Sequence, residues 1–417
     1  MKFFSFIIPA LILFLSACSV NTEIPAEPDG KAPEGNEAEI QNELISFMKL
    51  LEFTRENYVD AEKVSYEKLF QGAMKGMLNH LDPYSNYETP RDFSLMMDDS
   101  RGSFAGIGAT VRKTEQGAME IVKVIPGKPA DKAGAKAGDI LLSADDFSFQ
   151  DKSIDECVGK LRGEPGSSVI LKIKRGNEPE KEIVVKRAVI QTPSITNQGI
   201  IQDKTGYIRI NHFTSTTAKE LDAFLKKYNK KMDRLIIDLR FNPGGQLEVT
   251  VEALSRFLEK GLLLVSVEGR SEGSVKYESE VCKKYTKLPV VVLINEHSAS
   301  AAEIFSGCLK DYQRATVIGV KSFGKGSVQR VFPLPDGGGV RITIAKYYTP
   351  SRKVIHEKGI EPDITVRITE KQKREIAEQM MKNDTEPLTV KTGNYSDPQL
   401  EKALSVIREM KEFQMIR

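Results

Sequence analysis

Two short stretches of this chain hold the residue types that nucleophilic chemistry needs. The first is Asn295-Glu296-His297-Ser298-Ala299-Ser300-Ala301-Ala302-Glu303-Ile304, directly after the apolar run Val290–Ile294. The second, Ser322-Phe323-Gly324-Lys325-Gly326-Ser327-Val328-Gln329, follows shortly behind it. A serine at a strand-to-helix junction points into open space at the sheet edge, and the first N–H groups of the helix behind it are free to stabilise an oxyanion. Ser300-x-x-Glu303 also fits a capping box, a purely structural role. Lys325 sits between two glycines in a loop poor in other charges. Most lysines are solvated surface charges, but a buried one loses its preference for the ammonium form and becomes a usable general base.

Other chemistries fit less well. Gly319-Val320-Lys321-Ser322-Phe323-Gly324-Lys325 matches the start of a phosphate-binding loop, with Leu235–Asp238 posing as the acidic strand, but Gly326 stands where the magnesium-ligating Ser/Thr belongs. His297 and Ser300 share one local turn, which leaves no room for a third, orienting group. The cysteines (18, 157, 282 and 308) and the histidines (80, 212, 297 and 356) lack metal-site spacing, so no metal or other cofactor is expected. Lys+Arg 60 against Asp+Glu 58, with no basic stripe interleaved with aromatics, argues against nucleic acid.

The chain's 417 residues leave room for two to four domains. Residues 1–18 read as an export signal, with Lys2 ahead of the apolar stretch Phe3–Leu15. Leu15-Ser16-Ala17-Cys18 resembles the bacterial lipobox, in which the cysteine is acylated; a plain secretory signal with an incidental Cys18 is the alternative. No later stretch is apolar for long enough to span a bilayer, so the expected product is an exported lipoprotein held to a membrane through Cys18. Ser19 rather than Asp after that cysteine does not favour retention at an inner membrane. Residues 19–37, with Pro25, Pro28 and Pro33, read as a solvated linker.

Residues 38–100 are helical in pattern. Ile40, Leu44, Phe47, Met48 and Leu51 mark one amphipathic face, and Tyr66 to Leu81 a second, stopped by Asp82-Pro83. Such a pair suits docking or oligomerisation. Residues 101–188 are short strands and turns around the glycine-punctuated Gly106-Ile107-Gly108 and the stretch Pro129-Ala130-Asp131-Lys132-Ala133-Gly134…Ala137-Gly138-Asp139-Ile140. In that order these features resemble a PDZ domain, which takes a peptide C-terminus by strand addition, its carboxylate held by backbone N–H groups of the glycine loop. From 189 to 365 apolar runs alternate with helices at Thr217–Tyr228, Leu247–Leu258 and Ser300–Asp311, an α/β unit with a largely buried sheet. Residues 366–417 read as a charged, helix-prone tail.

Ser-Ala-Ser-Ala-x-Glu-Ile, Ser-Phe-Gly-Lys-Gly-Ser-Val-Gln, Asp-Leu-Arg-x-Asn-Pro-Gly-Gly and Tyr-Tyr-Thr-Pro-Ser together resemble the C-terminal processing peptidases, or tail-specific proteases, over residues 38 to 365. The resemblance implies a multidomain α/β protein: a helical segment, an embedded PDZ domain and a crotonase/ClpP-like protease core. It implies Ser300 as nucleophile, Lys325 as general base and Gln329, one helical turn on, orienting the lysine. Backbone N–H groups of Ala301 and the Gly244-Gly245 turn would form the oxyanion hole. Arg162, in Lys160-Leu161-Arg162-Gly163, matches the basic residue that couples peptide binding to assembly of the site; as an ordinary residue it would be a helix-end charge favourable to the dipole. The sequence departs from the family pattern at His297, commonly Gly, at Ala302, often a second Ser, and after Ser351, where a glycine is missing. The expected protein is a serine endopeptidase that captures unfolded or exposed C-terminal tails and cleaves them through an acyl-enzyme. A homodimer through its end segments fits this picture. The rival expectation is a PDZ scaffold that binds tails on a decayed protease fold.

Overall fold

The computed structural model describes residues 36–100, 103–114, 116–270, 273–280, 285–382, 387, 391–392 and 395–410. The signal, the lipobox with Cys18 and nearly all of the linker lie outside the described residues.

The core is a six-stranded sheet in the order Ile195–Ile200, Thr205–Ile210, Arg234–Asp238, Val290–Ile294, Thr316–Gly319, Ile364–Thr365. Its first pair is antiparallel and every later one parallel. Val290–Ile294 is buried at all five positions, which is what a strand covered on both faces requires. Val290, Val292 and Ile294 pack with Leu221, Phe224, Leu254 and Phe305 from the helices Thr217–Tyr228, Leu247–Leu254 and Ala301–Asp311. Val291 and Leu293 face the other way, against Ile376, Met380, Leu400, Leu404 and Ile407.

That second layer comes from the segment 366–417, read from the sequence as a charged, helix-prone tail. The helices Glu370–Lys382 and Pro398–Glu409 close the far face of the sheet. Their apolar residues form narrow stripes that the charged composition hides. Leu263–Gly269 also leaves the parallel sheet. It joins an antiparallel one, Asn86–Glu88, Gly339–Tyr348, Leu263–Gly269, Gly273–Glu278, and Ser327–Pro333 pairs with Gly339–Tyr348 as well. Asn86 is in register with Arg341, so the end of the N-terminal segment is a strand of the protease core rather than a detachable docking element.

Ahead of that strand, Glu37–Asn57 and Tyr66–Asn79 form a helical hairpin joined by the Phe47–Phe70 ring contact and by Arg55 over the Tyr66 ring at 3.6 Å. Ile40, Leu44, Leu50 and Phe53 of the first helix stay exposed.

The PDZ-like unit has the strand order Ala109–Lys113, Met119–Val124, Ile140–Ala144, Ser168–Lys174, Lys181–Lys186. Ser168–Lys174 alternates strictly, with Val169, Leu171 and Ile173 inward onto Ile121, Leu141 and Cys157. The helix Ile154–Leu161 starts on a Ser153/Glu156 capping box. Ser103–Gly106 pairs with Ala188–Gln191, so the chain enters and leaves this unit side by side.

One buried ionic cluster fastens the last helix to the sheet. Arg240, 1% exposed, donates to Asp238 at 2.6 Å and to Asp397 at 2.8 Å, and Tyr207 donates its hydroxyl to Asp238 at 2.7 Å. Burial alone would push Arg240 down, but the two carboxylates outweigh it and hold the guanidinium well above its ordinary range. Asp397 also caps the helix by accepting from the Leu400 N–H at 3.0 Å. Asp397→Ala takes one of two carboxylates from a buried guanidinium and the cap from the last helix, at a cost of about 3–5 kcal/mol. Guanidinium unfolding should register a loss of that size, and a midpoint unchanged from the parent would refute the role given to the cluster.

Candidate active site

Two turns at the carboxyl ends of neighbouring parallel strands build the site. After Arg234–Asp238 the chain runs Leu239-Arg240-Phe241-Asn242-Pro243-Gly244-Gly245, and after Val290–Ile294 it runs Asn295 to Ser300. The turns are stitched together: Phe241 N–H to Asn295 Oδ1 at 2.9 Å, Ala299 N–H to the Asn242 carbonyl at 2.9 Å, and Ser298 Oγ to the Leu239 carbonyl at 2.7 Å. Ser300 ends the second turn at φ 54°, ψ −115°, a conformation that costs a side-chain-bearing residue energy and that clusters at functional sites. Gly244 lies against it. A Cβ there would come within 2.8 Å of Ser300 Cβ and 3.0 Å of the Ala301 nitrogen, so only glycine allows the two turns this close.

The Gly244 N–H donates to Asn242 Oδ1 at 2.8 Å. The N–H groups of Gly245 and Ala301 carry no hydrogen bond among the described residues. They are the donors the two turns leave open beside Ser300.

Ser300, Lys325 and Gln329 line one cleft of about 620 Å³, together with Gly245 and Tyr347. Burial pushes the Lys325 amine below its ordinary range, the nearby Arg341 adds to this, and Asp82 opposes both. Gln329 is on the strand Ser327–Pro333, not a helical turn beyond the lysine. Its Nε2 donates to Ser327 Oγ at 2.8 Å and Thr343 Oγ1 at 3.1 Å. The strand period puts Ser327 and Gln329 on one face, which makes the first of these bonds. A strand after Lys325 also removes the phosphate-loop reading, which needs a helix there.

Glu303 was legible only as a helix cap, and it does more than that. The carboxylate is fully buried and accepts from the Ser300 N–H at 2.8 Å, Ser322 Oγ at 2.5 Å, the Gly324 N–H at 2.7 Å and the Lys325 N–H at 2.8 Å. Burial raises its pKa, against the pull of these donors. The same group therefore fixes the backbone of the serine and of the lysine. The signal was in the sequence as Ser-x-x-Glu, but its second set of partners lies about twenty residues away. The N-terminal segment was missed as well: Glu88, Asp92, Leu95 and Met96 form a wall of the cleft.

The remaining candidates lie elsewhere. His297 stacks on Phe241 with ring centroids 5.4 Å apart and does not line the cleft, which removes the Ser-His pairing. Ala109–Lys113 is an edge strand of the PDZ-like sheet, next to Ile154–Leu161. In the loop leading to it Gly106 pairs with Ala188, Ile107 is buried, and Gly108 takes φ 77° with Lys128 Cβ so close that any side chain would clash. Arg162 caps the end of Ile154–Leu161 and is not part of the cleft. On the same helix Gly159 packs against the Arg91 guanidinium from Pro90–Ser100, the helix that carries Asp92, Leu95 and Met96.

Glu303→Gln tests the hub directly. If the remaining carbonyl oxygen keeps Ser322 and Gly324, the new amide faces the N–H groups of Ser300 and Lys325, donor against donor. Each buried donor left unsatisfied costs about 1–3 kcal/mol. The variant should lose at least about thirtyfold in turnover, with tail binding retained, as measured by cleavage and by fluorescence anisotropy on a labelled peptide.

Comparison with known proteins matches the same three parts of the chain. The model of peptidase family S41 covers residues 204–366, that of the PDZ domain 120–175, and that of the N-terminal domain of the activating protease CtpB 15–90. A carboxy-terminal-processing protease of Bartonella bacilliformis is 37% identical over 338 residues, 79% of this chain and 76% of that protein. A probable CtpA-like serine protease of Staphylococcus aureus is 37% identical over 308 residues, 73% of this chain; the chain spans 61% of that relative's length. A structure described as an S41 protease from Bacteroides fragilis matches over 87% of this chain and 97% of that one, at 17% identity and a TM-score of 0.53, a likeness of fold. Helical segment, PDZ domain and core thus share their order and their sequence with relatives along most of the chain, which belongs to the C-terminal processing peptidases, the PDZ-bearing serine peptidases of family S41.

Proposed function

We propose that this protein is an endopeptidase that cleaves the unstructured C-terminal tails of exported proteins with a Ser300–Lys325 dyad. The observation that carries the proposal is Ser300, held at a strained turn beside two unengaged N–H groups, in one cleft with a half-buried lysine of lowered pKa. In the proposed cycle neutral Lys325 takes the Ser300 proton as Oγ attacks the scissile carbonyl carbon. The oxyanion is met by the N–H groups of Ala301 and Gly245. Collapse breaks the C–N bond, the leaving amine takes the proton from Lys325, and an acyl-enzyme remains. Water, deprotonated by the same lysine, then releases the acid and restores Ser300. Gln329, anchored through Nε2, keeps its carbonyl oxygen for the lysine amine.

The edge strand Ala109–Lys113 with the helix Ile154–Leu161 supports tail capture by strand addition, and Gly108 supports a carboxylate-binding loop. Arg162 closes that helix and serves as the link from a bound tail to the cleft, by way of the Gly159–Arg91 contact. The lipobox-like Leu15-Ser16-Ala17-Cys18 supports export and anchoring by acylation at Cys18. The exposed apolar face of Glu37–Asn57 supports a homodimer.

Incubation with a disordered polypeptide of apolar C-terminus tests the proposal. The parent should cleave it, and Ser300→Ala and Lys325→Ala should each lose more than about a thousandfold in kcat/KM, the scale on which removal of triad members acts. Cleavage that survives both substitutions sinks the dyad. Tail binding without cleavage by the parent would instead favour the scaffold.

A further inference from the structure

We infer that Tyr84 is a positioning residue for Lys325: its ring walls off the amine from solvent on the side away from the substrate cleft. The inference rests on the Ser300–Lys325 reading. Lys325 Nζ stands over the Tyr84 ring at 4.9 Å from the centroid, and Lys325 lines the cleft while Tyr84 does not. The ring covers what would otherwise be hydrated ammonium.

Tyr84 is rigidly presented. Asp82 accepts from the Tyr84 N–H at 2.7 Å, the Ser85 N–H at 2.8 Å and Ser85 Oγ at 2.9 Å. Ser85 Oγ in turn accepts from the Thr343 N–H at 3.1 Å, and Asn86–Glu88 continues as a strand beside Gly339–Tyr348. Thr343 Oγ1 is the acceptor of Gln329. One hydrogen-bonded chain therefore runs from the segment that holds the ring to a residue that shares the cleft with the lysine.

Two effects of the ring oppose each other. Its face attracts a cation, which favours the ammonium, and its bulk excludes water, which favours the free amine. The charged groups around the lysine are Asp82 of the turn that carries Tyr84, Arg341 on the strand Gly339–Tyr348, and Glu303, whose carboxylate is taken up by three backbone N–H groups and the Ser322 hydroxyl. Glu88, Asp92 and His212 share the cleft, and Glu357 faces Tyr84. Burial is the largest of the influences on Lys325, so exclusion of water is the effect that removal of the ring reverses.

The base must be neutral to act, so activity rises with pH through the lysine pKa, and kcat/KM reports that limb for the free enzyme. The experiment is the pH profile of kcat/KM of the purified full chain on the disordered polypeptide. Tyr84→Ala should move the rising limb up by about one unit, a roughly tenfold loss on the limb that is regained at higher pH. Tyr84→Phe, which keeps the ring, should leave the limb with the parent's. Tyr84→Gln fills the space with a hydrated group and is read in the same way should the alanine variant unfold. A limb at the parent's position in the ring-free variants, whatever their rate, overturns the inference and leaves the dyad standing. Activity surviving in Ser300→Ala or Lys325→Ala removes the dyad and this inference with it.

Discussion

The arrangement turns on a carboxylate that cannot afford to be without donors. Glu303 lies where water does not reach, and a buried carboxylate is tolerable only when its oxygens are hydrogen-bonded. Its four donors come from two places in the chain: the residue that opens the helix Ala301–Asp311, and the loop Ser322–Lys325. Satisfying the carboxylate therefore means bringing serine and lysine backbones to one point. Ser322 Oγ, which donates to Glu303, also accepts from the Ile360 N–H at 2.6 Å and extends the same constraint to the next loop. The approach of the Ser300 and Lys325 backbones here follows from the electrostatics of a third, buried group.

Around this point the chain assembles a wall from distant segments. The sheet supplies rigidity, with both faces covered, and the turns at its carboxyl end carry Ser300 and Gly245, at the end where open α/β sheets generally bind ligands. The antiparallel sheet supplies Gln329 and Arg341, and the N-terminal region closes the side through Leu95 and Met96. Because the helix that carries those two residues also touches the PDZ-like helix at Gly159, the PDZ unit and the cleft have a wall in common.

Several parts of this were legible in the sequence for definite reasons. Val290–Ile294 announces itself because a strand covered on both faces is apolar throughout, and Thr217–Tyr228 because its periodicity is strong. Ser300 and Lys325 could be read as candidates from local motifs, and Gln329 only through the family resemblance, which set it on a helical turn instead of the strand it occupies. Gly339–Tyr348 could not: it is half-buried, carries Arg341 and Lys346, and gains its identity from pairing with residues as distant as Asn86. The final helices hid their apolar stripe beneath charge. Asp82 looked like a helix stop, and nothing nearby in sequence reveals that the next turn reaches Lys325. Ser-x-x-Glu showed one of the two jobs of Glu303, since capping is local and the other job is not. What escaped was long-range pairing, which pattern alone does not encode.

The link between Arg240 and Asp397 spans 157 positions of the chain. Arg240 belongs to the turn that ends in Gly244 and Gly245, while Asp397 opens the helix that shields the sheet's far side. During synthesis the turn exists long before its second counter-ion does. Until Asp397 emerges, the guanidinium has Asp238 alone, the sheet lacks its cover, and the turn rests on its hydrogen bonds to the stretch Asn295–Ala299. Loss of the C-terminal helices would therefore reach the turn beside Ser300 from below, through Arg240, as well as uncovering Val291 and Leu293 on the far face of the sheet.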